Sequence, residues 1–270
     1  DNNLSLIHII VLAVVQGITE FLPISSQAHL LLVDDLFKWP DAGLSIRISA
    51  HIGSLVAIIL YFKSDIWKIM NGVIHLILGR TNKNTTLALH LSIASIPVLA
   101  AGFIVVSLEI QDSLSNPLFI AWTMIIFGIL LWIADQTGMT VRRIEHMRSH
   151  NAIIIGVAQI FALIPGTSRS GVTITAERMM GYERTEASKF SMLLGIPTIL
   201  AAGIWDGYEI WGQGNLSLGI DSIITAIISF ITAYISIALM MSWLKHSSFA
   251  PFVIYRLLLG SILLYIIYLS

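Results

Sequence analysis

The chain has 270 residues, of which 56% are hydrophobic and only 11% carry a charge, and its mean hydropathy is +0.84; soluble domains carry about 25% charged residues. With 15 Lys and Arg against 16 Asp and Glu it has no basic field for nucleic acid, and its charges fall between apolar runs rather than along a stripe. The absence of cysteine excludes disulfides, thiolate metal sites and cysteine nucleophiles, so chemistry must come from Ser, His, Glu and Arg.

The first apolar region, Leu4 to Val33, is broken near its middle by Pro23-Ile24-Ser25-Ser26. Its leading run, Leu4 to Val15, is too short to span a bilayer and lacks a basic flank. It continues into Gln16-Gly17-Ile18-Thr19-Glu20 rather than a small-residue cleavage site, so it is expected to belong to the mature chain. Ile46 to Phe62, Leu87 to Ser107 and Pro117 to Ala134 follow as full spans, each near the length of about 20 residues that a bilayer requires. A second broken region, Ala152 to Met180, carries Pro165-Gly166-Thr167-Ser168-Arg169-Ser170 at its centre. Ala187 to Ile204, Ile220 to Trp243 and Pro251 to Leu269 complete the set. Each broken region reads as two half-helices meeting at a tip. Irregular backbone at membrane depth survives only where protein or a wet cavity satisfies it, so both tips should face an internal site.

A constant shift of 142 places Pro23 on Pro165, Ser25-Ser26 on Thr167-Ser168, Gly53 on Gly195, and Leu55 to Tyr61 on Pro197 to Gly203. Residues 1–270 thus form one integral membrane domain, with one repeat over about 4–135 and the other over about 151–269. A broken pair plus three full spans gives an odd number of crossings, which turns the second copy upside down. The expected fold class is an all-α polytopic membrane protein, an inverted-topology repeat of six full transmembrane helices plus two broken re-entrant hairpins, with its site near the midplane.

Loop charge tests this topology. Lys63, Lys68, Arg80, Lys83, Arg142, Arg143, Arg148, Arg178, Arg184, Lys189 and Lys245 all fall on one side if the six spans alternate. The other side carries Asp34, Asp35, Asp41, Glu109, Asp112, Asp206, Glu209 and Asp221, with only Lys38 and Arg47. The excess of Lys and Arg marks the cytoplasmic face, so both termini and the first hairpin enter from outside and the second hairpin from inside. Trp near the span ends reads as an interfacial belt, and His75, His90, His146, His150 and His246, near span ends or in loops, form no metal-ligand spacing.

At the first tip, Gln16 and Glu20 are four apart and share a helix face. A carboxylate at membrane depth costs at least about 2.5 kcal/mol without a partner, which makes Glu20 a functional candidate. Pro23 ends that half-helix; Ser25 can cap the next, and Ser26 and His29 follow at a spacing of three that lets both reach one ligand. The structural alternative is that Ser25 caps, Ser26 bonds the backbone and His29 pairs with Glu20. At the second tip, Gly166, Thr167, Ser168, Ser170 and Thr173 surround an intramembrane Arg169 at a helix start. Backbone N–H groups, hydroxyls and a two-pronged guanidinium suit a phosphate; the alternative for Arg169 is a structural ion pair with Glu20. Arg256, five residues into the last span, reads as a residue snorkelling to the cytoplasmic face, and Arg47 and His51 as residues at the outer mouth.

Gln16-x-x-x-Glu20, then Phe21-Leu22-Pro23-x-Ser25-Ser26-x-x-His29, then Pro165-Gly166-x-Ser168-Arg169-Ser170-x-x-Thr173, and late in the chain Pro251-Phe252-x-Ile254-Tyr255-Arg256, together resemble the bacitracin-resistance family of undecaprenyl-diphosphate phosphatases over essentially the whole length. The position of Gln16 is Glu or Gln in that family. The resemblance implies hydrolysis of undecaprenyl diphosphate to undecaprenyl phosphate and inorganic phosphate, recycling the lipid carrier for cell-wall polysaccharide synthesis and conferring resistance to bacitracin. It implies a divalent cation, Mg²⁺ or Ca²⁺, held by Glu20 with Gln16, and Arg169 at the phosphate. Ser26 is the expected nucleophile with His29 as base or acid, and the inverse assignment, a phosphohistidine at His29, stays open. Ser25, Gly166, Thr167, Ser168, Ser170 and Thr173 are expected to bind substrate. The expected setting is the bacterial inner membrane, multi-pass, with the active site open to the periplasm; membrane lipids are partners, and monomer or homodimer is left open. The competing class is a flippase or secondary transporter of polyprenyl phosphate, since paired broken helices in inverted repeats are also a transporter design.

Overall fold

The computed structural model describes residues 5–39, 42–108, 116–213 and 219–269, without the side chains of 35, 83 and 209–213. Leu4, Asp41, Glu109 and Asp112, and the side chains of Asp35, Lys83 and Glu209, therefore lie outside the described residues. Within them the chain forms α1 (Leu6–Thr19), α2 (Ser26–Phe37), α3 (Leu44–Tyr61), α4 (Lys63–Ile77), α5 (Lys83–Ser107), α6 (Pro117–Thr137), α7 (Ser149–Ile160), α8 (Arg169–Met179), α9 (Arg184–Gln213), α10 (Ile220–Leu244) and α11 (Ala250–Leu269). Six of these, α3, α5, α6, α9, α10 and α11, are long and apolar enough to cross a membrane. The chain is an all-α polytopic membrane protein.

Local chemistry sets the helix ends. Ser5 Oγ accepts the His8 N–H at 3.2 Å to start α1, and Asn116 caps α6 ahead of Pro117 at its first position, where a missing N–H costs nothing. Asn82 and Thr85 form a reciprocal capping box at the start of α5. α10 packs on α1 and α3 of the first half, and α5 packs on α7 and α9 of the second; α6 meets α11 and α3 meets α9 across the middle. Each half thus lends one helix to the other.

The two tips share an unusual backbone. Ser25 and Ser168 have φ of +73° and +74°, and their hydroxyls accept the N–H groups of Ala28 (3.4 Å) and Gly171 (3.1 Å), capping α2 and α8. This equates Ser25 with Ser168, a shift of 143, whereas the prolines match at 142. The extra residue lies between proline and cap in the second tip, where Gly166 takes φ +87°, a conformation that a side chain disfavours.

Two features depart from the sequence reading. The segment holding Lys63 and Lys68 is helical: α4 is amphipathic, packs on α5, buries only Gly72 and exposes Trp67, Met70, Ile74 and Ile77. It is too short to span and suited to lie in the interface. Arg178, counted above as a cytoplasmic loop charge, is fully buried. Its Nε donates to Asp135 Oδ1 at 3.0 Å, and its other nitrogens bond the carbonyls of Gly138, Met139 and Tyr182. Arg184 Nε donates to the same carboxylate at 2.7 Å, and Asp135 Oδ2 accepts the Phe249 N–H at 3.1 Å. One carboxylate thereby ties the ends of α6 and α8 to the starts of α9 and α11. Tyr182, buried in that connection, has its phenol pushed up to about 12 by burial.

Candidate active site

The end of α1 presents Gln16 and Glu20 one turn apart, and the start of α2 brings Ser26 beside them. Gln16 Nε2 donates to Glu20 Oε2 at 2.7 Å, and Ser26 Oγ donates to the same oxygen at 3.0 Å. Glu20 Oε1 faces Arg169 Nη2 at 3.4 Å, with only 7% of the Glu20 side chain exposed. From α3, His51 Nδ1 approaches Gln16 Nε2 at 3.0 Å and Glu20 Oε2 at 3.8 Å. Gln16 Oε1 is buried without a hydrogen-bond partner.

Arg169 stands at the first position of α8, and its Nη1 donates to the Ser191 carbonyl at 3.1 Å. Gly195, one turn further along α9, leaves room for the guanidinium: a Cβ there would lie 2.6 Å from Nη1 and 2.7 Å from Nη2. Gly195→Ala is therefore expected to push Arg169 off Glu20 while leaving the helices packed. Activity should fall by about 10²-fold, as for a 1 Å misplacement, with a thermal midpoint within a few degrees of wild type. Unchanged turnover would show that Arg169 need not hold this position.

Arg256 corrects the sequence reading most strongly. It does not snorkel; it is 0% exposed and reaches inward from α11 to three carbonyls. Nη1 donates to Pro23 O at 3.1 Å, Nη2 to Gly166 O at 3.0 Å and Nε to Met124 O at 3.1 Å. One guanidinium thus holds both tips and α6.

His29 does not meet Glu20 or Ser26. Its Nδ1 donates to the Ser25 carbonyl at 2.6 Å, and its Nε2 lies 2.6 Å from Tyr255 OH on α11, against which the ring stacks. The other residues expected at the phosphate make bonds that build the tips. Ser25 and Ser168 cap α2 and α8, as described. Ser170 Oγ donates to Leu22 O at 2.9 Å, joining the tips directly; Thr173 Oγ1 lies 2.6 Å from Ser191 Oγ, joining α8 to α9. Gly166 gives its carbonyl to Arg256, and Thr167 is buried with an unpartnered hydroxyl.

A cavity of about 530 Å³ opens over Glu20, where α2 and α9 end and α3 begins. Gln16, Glu20, Ser26 and Arg169 line it, with Gln27, Arg47, His51, Thr198 and Asp206, and an apolar flank of Leu12, Leu30, Leu31, Ile46, Ile199 and Ala202. Gln27, Thr198 and Asp206 are site residues the sequence reading missed; Arg47 and His51, on α3, were marked only by their place at the outer end of the first full span. The donor set suits a hard divalent cation shared with phosphate oxygens. Glu20 lies beside Gln16, whose Oε1 has no hydrogen-bond partner, with Asp34 and Asp206 also lining the cavity, and among the described residues no three His, Asp or Glu cluster as an all-protein cage. Mg²⁺ is commonly held in this way, by one or two carboxylates plus substrate phosphates.

A half-apolar cavity at membrane depth, with a carboxylate, a hydroxyl and a guanidinium at its floor, defines an intramembrane enzyme for an anionic lipid headgroup. The family model described as "Bacitracin resistance protein BacA" matches residues 9–262. The chain is 44% identical over 262 residues to the undecaprenyl-diphosphatase of Roseobacter denitrificans, covering 97% of this chain and 98% of that protein. It is 45% identical over 266 residues to the one of Dinoroseobacter shibae (98% and 100%), and 43% over 265 residues to the one of Hahella chejuensis (98% and 99%). The chain belongs to the BacA family of bacitracin resistance proteins.

Proposed function

We propose that this protein hydrolyses undecaprenyl diphosphate to undecaprenyl phosphate and inorganic phosphate, returning the lipid carrier to cell-wall synthesis. The observation that carries the reading is the triangle of Ser26, Arg169 and Glu20 at the floor of a cavity with one apolar flank. The headgroup sits over Arg169, whose planar fork grips two phosphate oxygens, and the isoprenoid tail leaves along the apolar flank. Ser26 Oγ attacks the terminal phosphorus, and its proton passes to Glu20 Oε2, already its hydrogen-bond acceptor. The bond to the bridging oxygen breaks, releasing undecaprenyl phosphate, and water then cleaves the phosphoserine to free phosphate. His29, held by Ser25 O and Tyr255, steadies the start of α2 instead of serving Ser26. A divalent cation would be held by Glu20 and Gln16 Oε1 and would neutralise diphosphate charge in a site of low dielectric.

The direct test is phosphate release from defined polyprenyl diphosphates by detergent-purified protein, with and without chelator. Release that stops on chelation and returns with Mg²⁺ or Ca²⁺ is expected. Arg169→Lys keeps the charge but not the fork and should lower kcat by about 10²–10³-fold, more than it raises KM; a near-normal kcat would reduce Arg169 to a structural partner of Glu20.

We further propose that the protein lies in the inner membrane with this cavity open to the periplasm. Support comes from the loop charges and from Asp34, Arg47 and Asp206, which share the end of the bundle where the cavity opens. The chain has no cysteine of its own, so single cysteines report cleanly. Lys38→Cys should react with an impermeant thiol reagent in outer-membrane-permeabilised cells and Glu145→Cys should not. The reverse pattern would invert the orientation.

A further inference from the structure

At the opposite end of the bundle from the catalytic cavity, Arg142, His146, Arg148, His150 and Asn151 line a second cavity of about 280 Å³. It lies in the connection from α6 to α7, and that connection is firmly built. Arg142 N–H donates to Gly181 O at 3.0 Å, and its carbonyl accepts the Glu183 N–H at 2.8 Å. Asn151, buried on the cavity wall, accepts from Arg148 N at 3.1 Å and from Tyr182 OH at 3.3 Å. Two of the nearby carboxylates are directed elsewhere, Glu183 to Arg143 at 3.1 Å and Glu186 to the Ile144 N–H at 3.0 Å, while Glu145, 70% exposed, lies 3.8 Å from His146 of the cavity wall. Among the described residues, Arg142, Arg148 and His150 form no ion pair. The cavity also adjoins the N-terminus of α7, a helix of 12 residues; Asn151 and Ala152 N–H bond the Arg148 carbonyl, and the helix end carries partial positive charge.

Two guanidiniums, the His150 imidazole and a helix N-terminus around one concavity, with His146 held by the Arg143 N–H and Glu145, make an anion receptor. Arginine forks match the tetrahedral oxygens of phosphate better than a planar carboxylate would fill two of them. We propose that this cavity binds a phosphate group, either on the headgroup of a lipid in the adjoining leaflet or as free inorganic phosphate. The site shares no residue with the catalytic cavity, so it stands or falls independently of the hydrolysis reading.

A dye on Glu145→Cys, in protein embedded in nanodiscs of neutral phosphatidylcholine, reports this cavity and not the distant one. Inorganic phosphate is titrated in one arm, and phosphatidic acid is raised in mole fraction in the other. A saturable response to both assigns the site to phosphate itself, and a response to phosphatidic acid alone assigns it to a lipid headgroup. R142Q and R148Q should each weaken the apparent affinity about tenfold, as expected for losing one charged hydrogen-bonding partner, while phosphate release from polyprenyl diphosphate stays at the wild-type rate. R148Q changes only an exposed side chain and serves if R142Q fails to fold. No saturable response in either arm, or one of undiminished affinity in R142Q and R148Q, would overturn the proposal.

Discussion

Replacing Glu20 by Gln is expected to lower kcat by about 10²–10⁴-fold, the range that a positioned proton acceptor supplies, while the purified protein melts like the wild type. Glu20 Oε2 receives hydrogen bonds from Gln16 at 2.7 Å and Ser26 at 3.0 Å, and Oε1 faces Arg169 at 3.4 Å. The amide has the same shape, so packing survives. It is neutral, however, so it can neither take the Ser26 proton nor balance Arg169, and one of its ends must now present N–H to a group that itself donates. The dependence on divalent cation should weaken in parallel, because the carboxylate beside Ser26 and Arg169 is gone. Wild-type turnover with unchanged cation dependence in purified Glu20→Gln would remove Glu20 from the chemistry.

Arg256→Met should produce the largest loss of stability of any single change considered, about 3–5 kcal/mol, the usual scale for breaking a buried charged hydrogen-bond set. Methionine fills much of the volume but leaves the carbonyls of Pro23, Gly166 and Met124 without their donor. Both tips should loosen, so hydrolysis falls together with stability, and amide exchange should quicken around residues 22–26 and 165–170. Arg256→Lys should recover part of the stability and little of the activity, since one ammonium cannot bond three carbonyls spread around a planar fork. If Arg256→Met leaves both the melting temperature and amide exchange at the tips unchanged, the clamp is not real.

The spans were legible because a bilayer demands long apolar runs, and both tips because proline and hydroxyl residues cannot continue such a run. Gln16 and Glu20 were legible through their four-residue spacing. The pairing of His29 with Ser26 on one ligand was not legible from their spacing of three. At about 100° per residue, Ser26, Gln27, Leu30, Leu31 and Asp34 cover one sector of about 140° of α2, and these five line the cavity. His29 falls outside that sector and turns to Tyr255. Arg256 was illegible because its distance from the span end suits snorkelling equally well; only the crossing of α11 behind both tips makes it interior. Asp135 with Arg178 hid likewise, since charges at span ends read as loop charges until the chain is folded. α4 escaped notice because a short amphipathic helix beside a span resembles a charged loop.

The clamp by Arg256 also fixes an order of events during biosynthesis. The carboxylate, hydroxyl and guanidinium at the cavity floor have been made once Arg169 leaves the ribosome, yet the guanidinium that clamps both tips to α6 comes 87 positions later. A nascent chain therefore carries its full chemical equipment for the 87 residues from Arg169 to Arg256 without the clamp. Chains released early, before the last helix is inserted, would be inert in the membrane rather than partly active.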